Sequence, residues 1–313
     1  MKVSDVKVKT KGVLRPFAHM LWKLISLELR GCIIQSYYCK HWPNLKHPKT
    51  YNEKLLAYMQ SDLMSSYYRF ADKIMVREYV KNVVGEQYLT QLYGVYTSYE
   101  DIDFCSLPHK FYLKTNHGCG EHLPCADKKL FLQHDADNST AMRKVLQKDY
   151  SLINGERQYH KIKPKIFAEE FLPVVFPRDT VYRFYVFEGK VQGIQVACTL
   201  NNDPSRIVNN MYTSEWERAP FSIGYPGIEC FLPKPRNLGV MVKVAEKLAV
   251  PFPFVRVDLY NLAGRIVFSE LTFTPLSAFG PLLPREWGTR LGKLFPWPMQ
   301  KFRNGDEIWH EYV

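Results

Sequence analysis

The chain contains no CxxC pair, no internal repeat, no low-complexity tract and no long uninterrupted apolar run, and each absence removes a class of protein. Seven cysteines, odd in number and without paired spacing, speak against a disulfide scaffold and for a reduced, intracellular chain. Without repeats or polar tracts, solenoids and disordered tails drop out, and 20 prolines interrupt the chain too often for a coiled coil. The most membrane-like stretch, residues 13–34 (VLRPFAHMLWKLISLELRGCII), is broken by Arg15, Lys23, Glu28 and Arg30 and is not expected to span a bilayer. It reads as an amphipathic helix, packed on the domain or lying on a membrane surface. The expected location is therefore cytoplasmic, with peripheral contact at the inner face of the membrane as its variant.

What is present is a globular composition. The 313 residues are 46% hydrophobic and 23% charged, enough for a full core in one large domain or in a few lobes around a cleft. The formal charge of +11 leans toward anionic partners. No RNA-stacking motif with basic neighbours accompanies it, so nucleic acid is not expected among the partners.

Along the chain, Thr50 to Glu53 (TYNE) has the form of a helix capping box, and Leu55, Leu56 and Met59 follow at helical spacing. Helical patterns are predicted at 66–84, 139–153 and 237–250, and strands at 88–95, 110–115, 165–171 and 206–213. YRFYVFEGKVQGIQVAC reads as a hairpin turning at Glu188-Gly189, and residues 253–273 read as a second hairpin. Helices and antiparallel strands interleave without a βαβ rhythm, which predicts the α+β class in more than one lobe.

The second hairpin has the sharpest chemistry. In VRVDLY, Val255, Val257 and Leu259 face one way and Arg256, Asp258 and Tyr260 the other. A two- or four-residue loop centred on NLAG would pair 258 with 267 and put Glu270 on the far face, whereas a loop with Gly264 in the left-handed position of a bulge, the register expected here, would pair 256 with 270 and 258 with 268. Arg256, Asp258, Glu270 and Thr272 would then share one face, with Val255, Val257, Val267, Leu271 and Phe273 on the other. Two carboxylates beside an arginine suit Mg²⁺ holding nucleotide phosphates; an exposed Arg256–Glu270 ion pair beside a solvated Asp258 is the alternative.

KFYLKTNHGCGEHLPC (110–125) ends an apolar run on Lys114 and continues into a turn rich in Gly, His and Cys. As a phosphate loop it would aim the Lys114 ammonium at the nucleotide, with Gly118 and Gly120 letting backbone N–H groups approach the anion. A metal site from His117, Cys119, His122 and Cys125 would need an unusually tight wrap, and an ordinary turn is the third reading.

These stretches resemble the ATP-grasp superfamily and, within it, the TupA-like family linked to teichuronopeptide and other surface-polysaccharide biosynthesis. TYNEKL (50–55), ADKIMVREYV (71–80), FYLKTNHGCG (111–120), KIFAEEFL (165–172), FPFVRVDLYNLAGRIVFSELTFTP (252–275) and LGKLF (291–295) carry the likeness in the family's order. The resemblance implies ATP between two α+β lobes behind a helical N-terminal region, with boundaries at 1–85, 86–172 and 173–313. Lys73 and Lys114 are then the phosphate-contacting lysines, and residues 116–120, with His117, Gly118 and Gly120, the mobile glycine loop. Glu169, Glu170, Phe171 and Leu172 are the hinge that holds adenine and ribose. Asp258 and Glu270 are Mg²⁺ ligands, with Thr272 where many relatives carry a metal-binding Asn. Arg256 faces the charge of the transferring phosphoryl and, with Lys114, forms the catalytic pair.

The implied activity is an ATP-dependent ligase with two Mg²⁺ ions, joining a carboxylate to an amine through an acyl phosphate. The expected carboxylate is a uronic acid, free, nucleotide-linked or in a glycan; the expected amine is an amino acid or amino alcohol. A kinase acting on a sugar or amine, and a non-enzymatic basic glycan- or nucleic-acid-binding protein, are the alternatives. Three stretches depart from the pattern: near the acceptor TFTPLSAF (272–279) lacks the usual glycine, in HGCGEH Cys119 replaces a Ser and Glu121 adds a negative charge close to the phosphates, and in VYRFYVF Arg183 stands where Lys is common.

Overall fold

A computed structural model describes residues 22, 24–118, 122–172, 180–199, 207–225, 227 and 232–313. Residues 13–21 and 23 of the amphipathic stretch, and the loop residues Cys119, Gly120 and Glu121, therefore lie outside the described residues. The first part of the chain forms helices α1 (Leu27–Cys39), α2 (Tyr51–Met59), α3 (Asp62–Ser66), α4 (Tyr68–Ala71) and α5 (Val76–Val84). The capping box is complete: Thr50 Oγ1 accepts from Glu53 N, while Glu53 Oε2 accepts from Thr50 N at 2.9 Å. The helix expected over 66–84 is instead interrupted at Asp72. That carboxylate accepts from Ile74 N at 2.8 Å and Met75 N at 3.2 Å, offering the backbone a turn in place of the helical ladder.

Strands β1 (Leu92–Tyr96), β2 (Phe111–Thr115), β3 (His122–Cys125) and β4 (Ile166–Glu170) form an antiparallel sheet in the order β1-β4-β2-β3. Helices α6 (Lys128–Gln133), α7 (Asp135–Leu146) and α8 (Tyr150–Asn154) follow β3. The single helix expected at 139–153 is two, because Asp149 starts a new one by accepting from Ser151 N at 2.9 Å and Leu152 N at 3.3 Å. Phe111, Leu113, Ile166 and Ala168 point from this sheet into a small core with Phe131 and Met142. By strand alternation Tyr112, Lys114, Phe167 and Glu169 point the other way.

Strands β5 (Thr180–Phe187), β6 (Lys190–Thr199) and β7 (Ile207–Tyr212) form the second sheet with β9 (Phe254–Leu262) and β10 (Arg265–Thr272), in the order β10-β9-β5-β6-β7. A short pair joins β8 (Ser222–Ile223) to β11 (Leu282–Leu283). The β5–β6 turn uses Glu188 and Gly189 with φ of 44° and 72°, the doubly left-handed turn that a right-twisted hairpin favours. Helix α9 (Leu238–Ala249) lies on one face through Met241, Val244, Ala245 and Leu248. The same core takes in Leu55, Leu56 and Tyr58 of α2, Leu291 of α10 (Glu286–Leu294) and Ile308 of α11 (Gly305–Tyr312). The early helices and both ends of the described chain thus share one core with the five-stranded sheet. Among the described residues no helix is long and apolar enough to cross a membrane.

The β9–β10 register corrects the expected one. The turn is two residues, Ala263 and Gly264, with φ of 50° and 102°, and the extra residue lies at Ser269. Glu270 therefore pairs with Asp258 and Thr272 with Arg256. The expected common face for Arg256, Asp258, Glu270 and Thr272 is present, produced by a bulge farther along the strand. Val267 pairs with Tyr260 and so takes the polar face, while Ile266 and Phe268 enter the core in its place.

Candidate active site between the two sheets

The polar faces of the two sheets meet. At the centre, Arg256 is only 8% exposed and grips Asp258 with two hydrogen bonds, Nε to Oδ1 and Nη2 to Oδ2, both 2.7 Å. Its Nη2 also donates to Thr272 Oγ1 at 3.0 Å and Glu270 Oε1 at 3.3 Å. Arg183, which β5 pairs with Asp258, brings Nε to 3.7 Å from Asp258 Oδ2. Lys73 reaches in from the other side, with Nζ 3.9 Å from Glu270 Oε2, and donates to the carbonyl of Gly118.

Burial, with Glu270 alongside, raises the Asp258 carboxyl despite its arginine. For Glu270 burial pushes in the same direction, but Lys73, Arg256 and the Thr272 hydroxyl together outweigh it and hold the carboxyl below its ordinary range. The donor set fits Mg²⁺ carrying nucleotide phosphates: two adjacent carboxylates and a hydroxyl, hard oxygens on one face, flanked by cations. No group of three or more His, Cys, Asp or Glu is placed to hold a metal ion among the described residues, so phosphate and water oxygens would complete the shell. Asp258, Glu270 and Thr272 are the residues that would hold it. The exposed-ion-pair alternative does not describe this arrangement, since Asp258 is buried with its partner.

On the four-stranded sheet, Lys114 Nζ lies 2.5 Å from Glu169 Oε1. Burial works against the Lys114 ammonium, but Glu169 outweighs it and the group stays firmly protonated. Glu169 is held in turn by Thr90 Oγ1 at 2.5 Å and by Arg77 at 3.7 Å. Glu170 alternates to the opposite side and forms a bidentate pair with Arg265. Of the two hinge glutamates, Glu169 thus shares the face of Lys114 and Glu170 does not. Phe171 stacks on Tyr112, rings 5.0 Å apart and nearly parallel, and Leu172 is buried.

The glycine loop is anchored at its base. Asn116 Nδ2 donates to Asp72 Oδ2 at 2.8 Å, Asn116 O accepts from Lys73 N at 3.0 Å, and Thr115 Oγ1 donates to His117 O at 3.1 Å. Gly118 has φ of +73°, and a Cβ there would lie 2.1 Å from the Tyr150 ring, so only glycine fits. His117 is buried against Tyr150 with ring centroids 5.6 Å apart. His122 pairs with Lys114 across the sheet, and partial desolvation together with the neighbouring Lys114 and Lys73 cations lowers its imidazole.

The structure thus brings together Lys73, Lys114, Glu169, Arg256, Asp258, Glu270 and Thr272, and sets Glu170 apart. It adds Arg77, which sequence reasoning did not place in the site, and gives Arg183, noted there only as a departure from the family pattern, a place beside Asp258. Arg183 was accessible from the alternation of VYRFYVF, which puts it on the same face as Tyr185. Arg77 acts from a helix through Glu169, and no strand pattern points to it.

Two facing antiparallel sheets with a lysine on one and paired carboxylates on the other make up the ATP-grasp architecture. The chain belongs to the TupA-like ATP-grasp family, whose pattern it matches over residues 53–296. No curated protein matches it. Similar solved structures include the ATP-grasp ligase PsnB, at 13% identity and TM-score 0.37, covering 69% of this chain and 54% of that one. D-alanine–D-alanine ligase from Bacillus anthracis is similar at 12% identity and TM-score 0.44, covering 78% and 69%. N5-carboxyaminoimidazole synthase from Aspergillus clavatus is similar at 10% identity and TM-score 0.38, covering 66% and 45%.

Proposed function

We propose that this chain is an ATP- and Mg²⁺-dependent ligase that joins a carboxylate to an amine, with a uronic acid as the carboxylate and an amino acid or amino alcohol as the amine. Such a product belongs in surface-polysaccharide biosynthesis on the cytoplasmic side. The observation that carries the reading is the convergence of Lys73 and Lys114 from one side with Asp258, Glu270 and Arg256 from the other. Family membership and the acidic character of a uronate, matched to the +11 charge, support it.

Bound Mg-ATP supplies the γ-phosphoryl group that converts a carboxylate to an acyl phosphate. The chain's part is positioning and electrostatics. Asp258, Glu270 and Thr272 would hold the metal, two ions in this reading, and Lys73 and Lys114 would hold the phosphates. Arg256 offsets charge developing on the transferring phosphoryl, and Arg183, on the same face, orients the carboxylate. Glu169 and Leu172 line the nucleotide's base and ribose.

ADP release from Mg-ATP, measured with uronates crossed against amino acids and amino alcohols and followed by mass spectrometry, tests this. ADP formation that requires both partners, with a product equal to their sum less water, is the expected result. A phosphate gain on a single partner would make the chain a kinase. Polyanion binding indifferent to Mg-ATP would make it a binding protein.

A further inference from the structure

Between the glycine loop and the strand end that follows Thr272 lies a second polar cluster, from residues 154–158 and 274–277. Glu156 is 6% exposed. Its carboxylate accepts from Thr274 Oγ1 at 2.5 Å, Ser277 Oγ at 3.1 Å and Asn154 Nδ2 at 3.2 Å, all neutral donors. Gln158 Nε2 donates to Thr274 Oγ1 at 2.7 Å. The other amide ends, Asn154 Oδ1 and Gln158 Oε1, are buried with no hydrogen-bond partner among the described residues. The cluster thus holds a carboxylate and two amide oxygens with too few donors to serve them, and no cation pairs with Glu156 among the described residues.

A primary ammonium brings a positive charge and three N–H donors, which is what this set lacks. A carboxylate substrate would meet Glu156 and unserved acceptor oxygens and be repelled. The cluster's place agrees. Tyr150, at the start of the same segment, packs on His117 of the glycine loop, and Glu270 is close enough for its charge to be felt at Glu156. Leu276, Ser277 and Ala278, with φ of 53°, 51° and 65°, keep a left-handed path that ordinary residues rarely adopt. Ser277 Oγ on Glu156, and Gln35 Nε2 on the Ala278 carbonyl at 2.9 Å, hold that path in place. Burial without a cation raises the Glu156 carboxyl, a cost that a bound ammonium removes.

We propose that Asn154, Glu156 and Gln158 form the ammonium-binding subsite for the amine substrate, with Glu156 as its counterion. The assignment rests on the ligase reading for its place in a reaction but not for its binding chemistry. Charge then runs in one direction across the cleft: Arg183 and Arg256 toward the carboxylate and phosphoryl end, Glu156 toward the amine.

The full chain, with Mg²⁺ and a non-hydrolysable ATP analogue, is titrated by calorimetry with ethanolamine and with ethylene glycol, which share a shape and differ by ammonium against hydroxyl. Ethanolamine is expected to bind about 10- to 100-fold more tightly, the worth of a charge-assisted hydrogen bond. In Glu156→Gln the preference is expected to disappear. Equal binding of the two probes by the wild type, or a preference that survives in Glu156→Gln, overturns the proposal. Thermal unfolding shows whether Glu156→Gln folds; if it does not, Gln158→Leu, which removes the Oε1 acceptor and the Nε2 donor to Thr274 but no charge, is read instead and must weaken ethanolamine alone. The ligase reading is tested apart, by wild-type hydroxamate formation from uronates, Mg-ATP and hydroxylamine. Absence of hydroxamate counts against that reading and leaves the ethanolamine result to decide the subsite.

Discussion

Replacing Arg256 with Met removes the group that neutralises the centre of the cleft. Asp258 loses two hydrogen bonds of 2.7 Å at once, and Glu270 loses one of 3.3 Å. Removing one member of a buried ion pair costs about 3–5 kcal/mol, because the remaining charge has neither water nor partner. Here Arg183 at 3.7 Å and Lys73 at 3.9 Å remain as partial substitutes, so the loss is placed at the lower end, about 3 kcal/mol. For a unit of this size that corresponds to a fall in Tm of about 6–12 °C. All six tryptophans lie outside residues 86–172, so tryptophan fluorescence reports on the larger core. Mg²⁺ is expected to stabilise the variant more than the wild type, since the ion replaces missing positive charge; saturation to about 100 Kd is worth about 2.7 kcal/mol. A loss below about 1 kcal/mol, or a Mg²⁺ response equal in both proteins, would refute the picture of a coupled buried site.

Asp258→Asn and Glu270→Gln are each expected to lower ADP release by at least about 100-fold, and wild-type rates in either would remove the metal assignment. Gly118→Ala forces a Cβ onto the Tyr150 ring at 2.1 Å; it should weaken ATP-analogue binding while leaving the Tm of the larger core unmoved, as fluorescence would show. Glu53 receives Asn44 N, Lys49 N and Thr50 N, and these bonds hold its carboxyl below its ordinary value against the opposing effect of burial. Its stabilisation is therefore present above pH 4.5 and fades as pH falls through the lowered value, so Glu53→Ala should cost about 1–2 kcal/mol at neutral pH and little in acid. Glu156 has the opposite sign. Its raised carboxyl makes the folded chain keep a proton that the unfolded chain releases, so stability falls as pH rises above 4.5. Glu156→Gln should therefore be more stable than the wild type at about pH 8 and equal to it at about pH 4, as urea unfolding would reveal.

Local chemistry was legible wherever it is written in neighbouring residues. Thr50 and Glu53 announce their cap, and Glu188-Gly189 its turn, because both motifs close within four residues. The shared face of Asp258 and Glu270 was also legible, but for a different register. Ile266, Val267 and Phe268 are all apolar, so alternation cannot say which of them enters the core, and the bulge at Ser269 leaves no glycine to mark it. The breaks at Asp72 and Asp149 were missed because apolar spacing continues across both. Glu156 was out of reach for another reason: its partners Thr274 and Ser277 lie more than a hundred residues away, and its own segment has no periodicity.

The smaller sheet keeps its own core with Phe131 and Met142 of the helices that follow it, the early helices share the larger core with the five-stranded sheet, and polar contacts link the two: Lys73 to Gly118, Arg77 to Glu169, Arg265 to Glu170. Apolar contact makes unfolding all-or-none within a core, and a polar seam transmits that cooperativity poorly. The chain is therefore expected to melt as two units, the smaller first, with salt lowering the first transition more than the second, as calorimetry at two salt concentrations would show. A ligand gripped from both sides of the seam would fuse them, so the number of calorimetric transitions counts how many sides of the cleft are engaged.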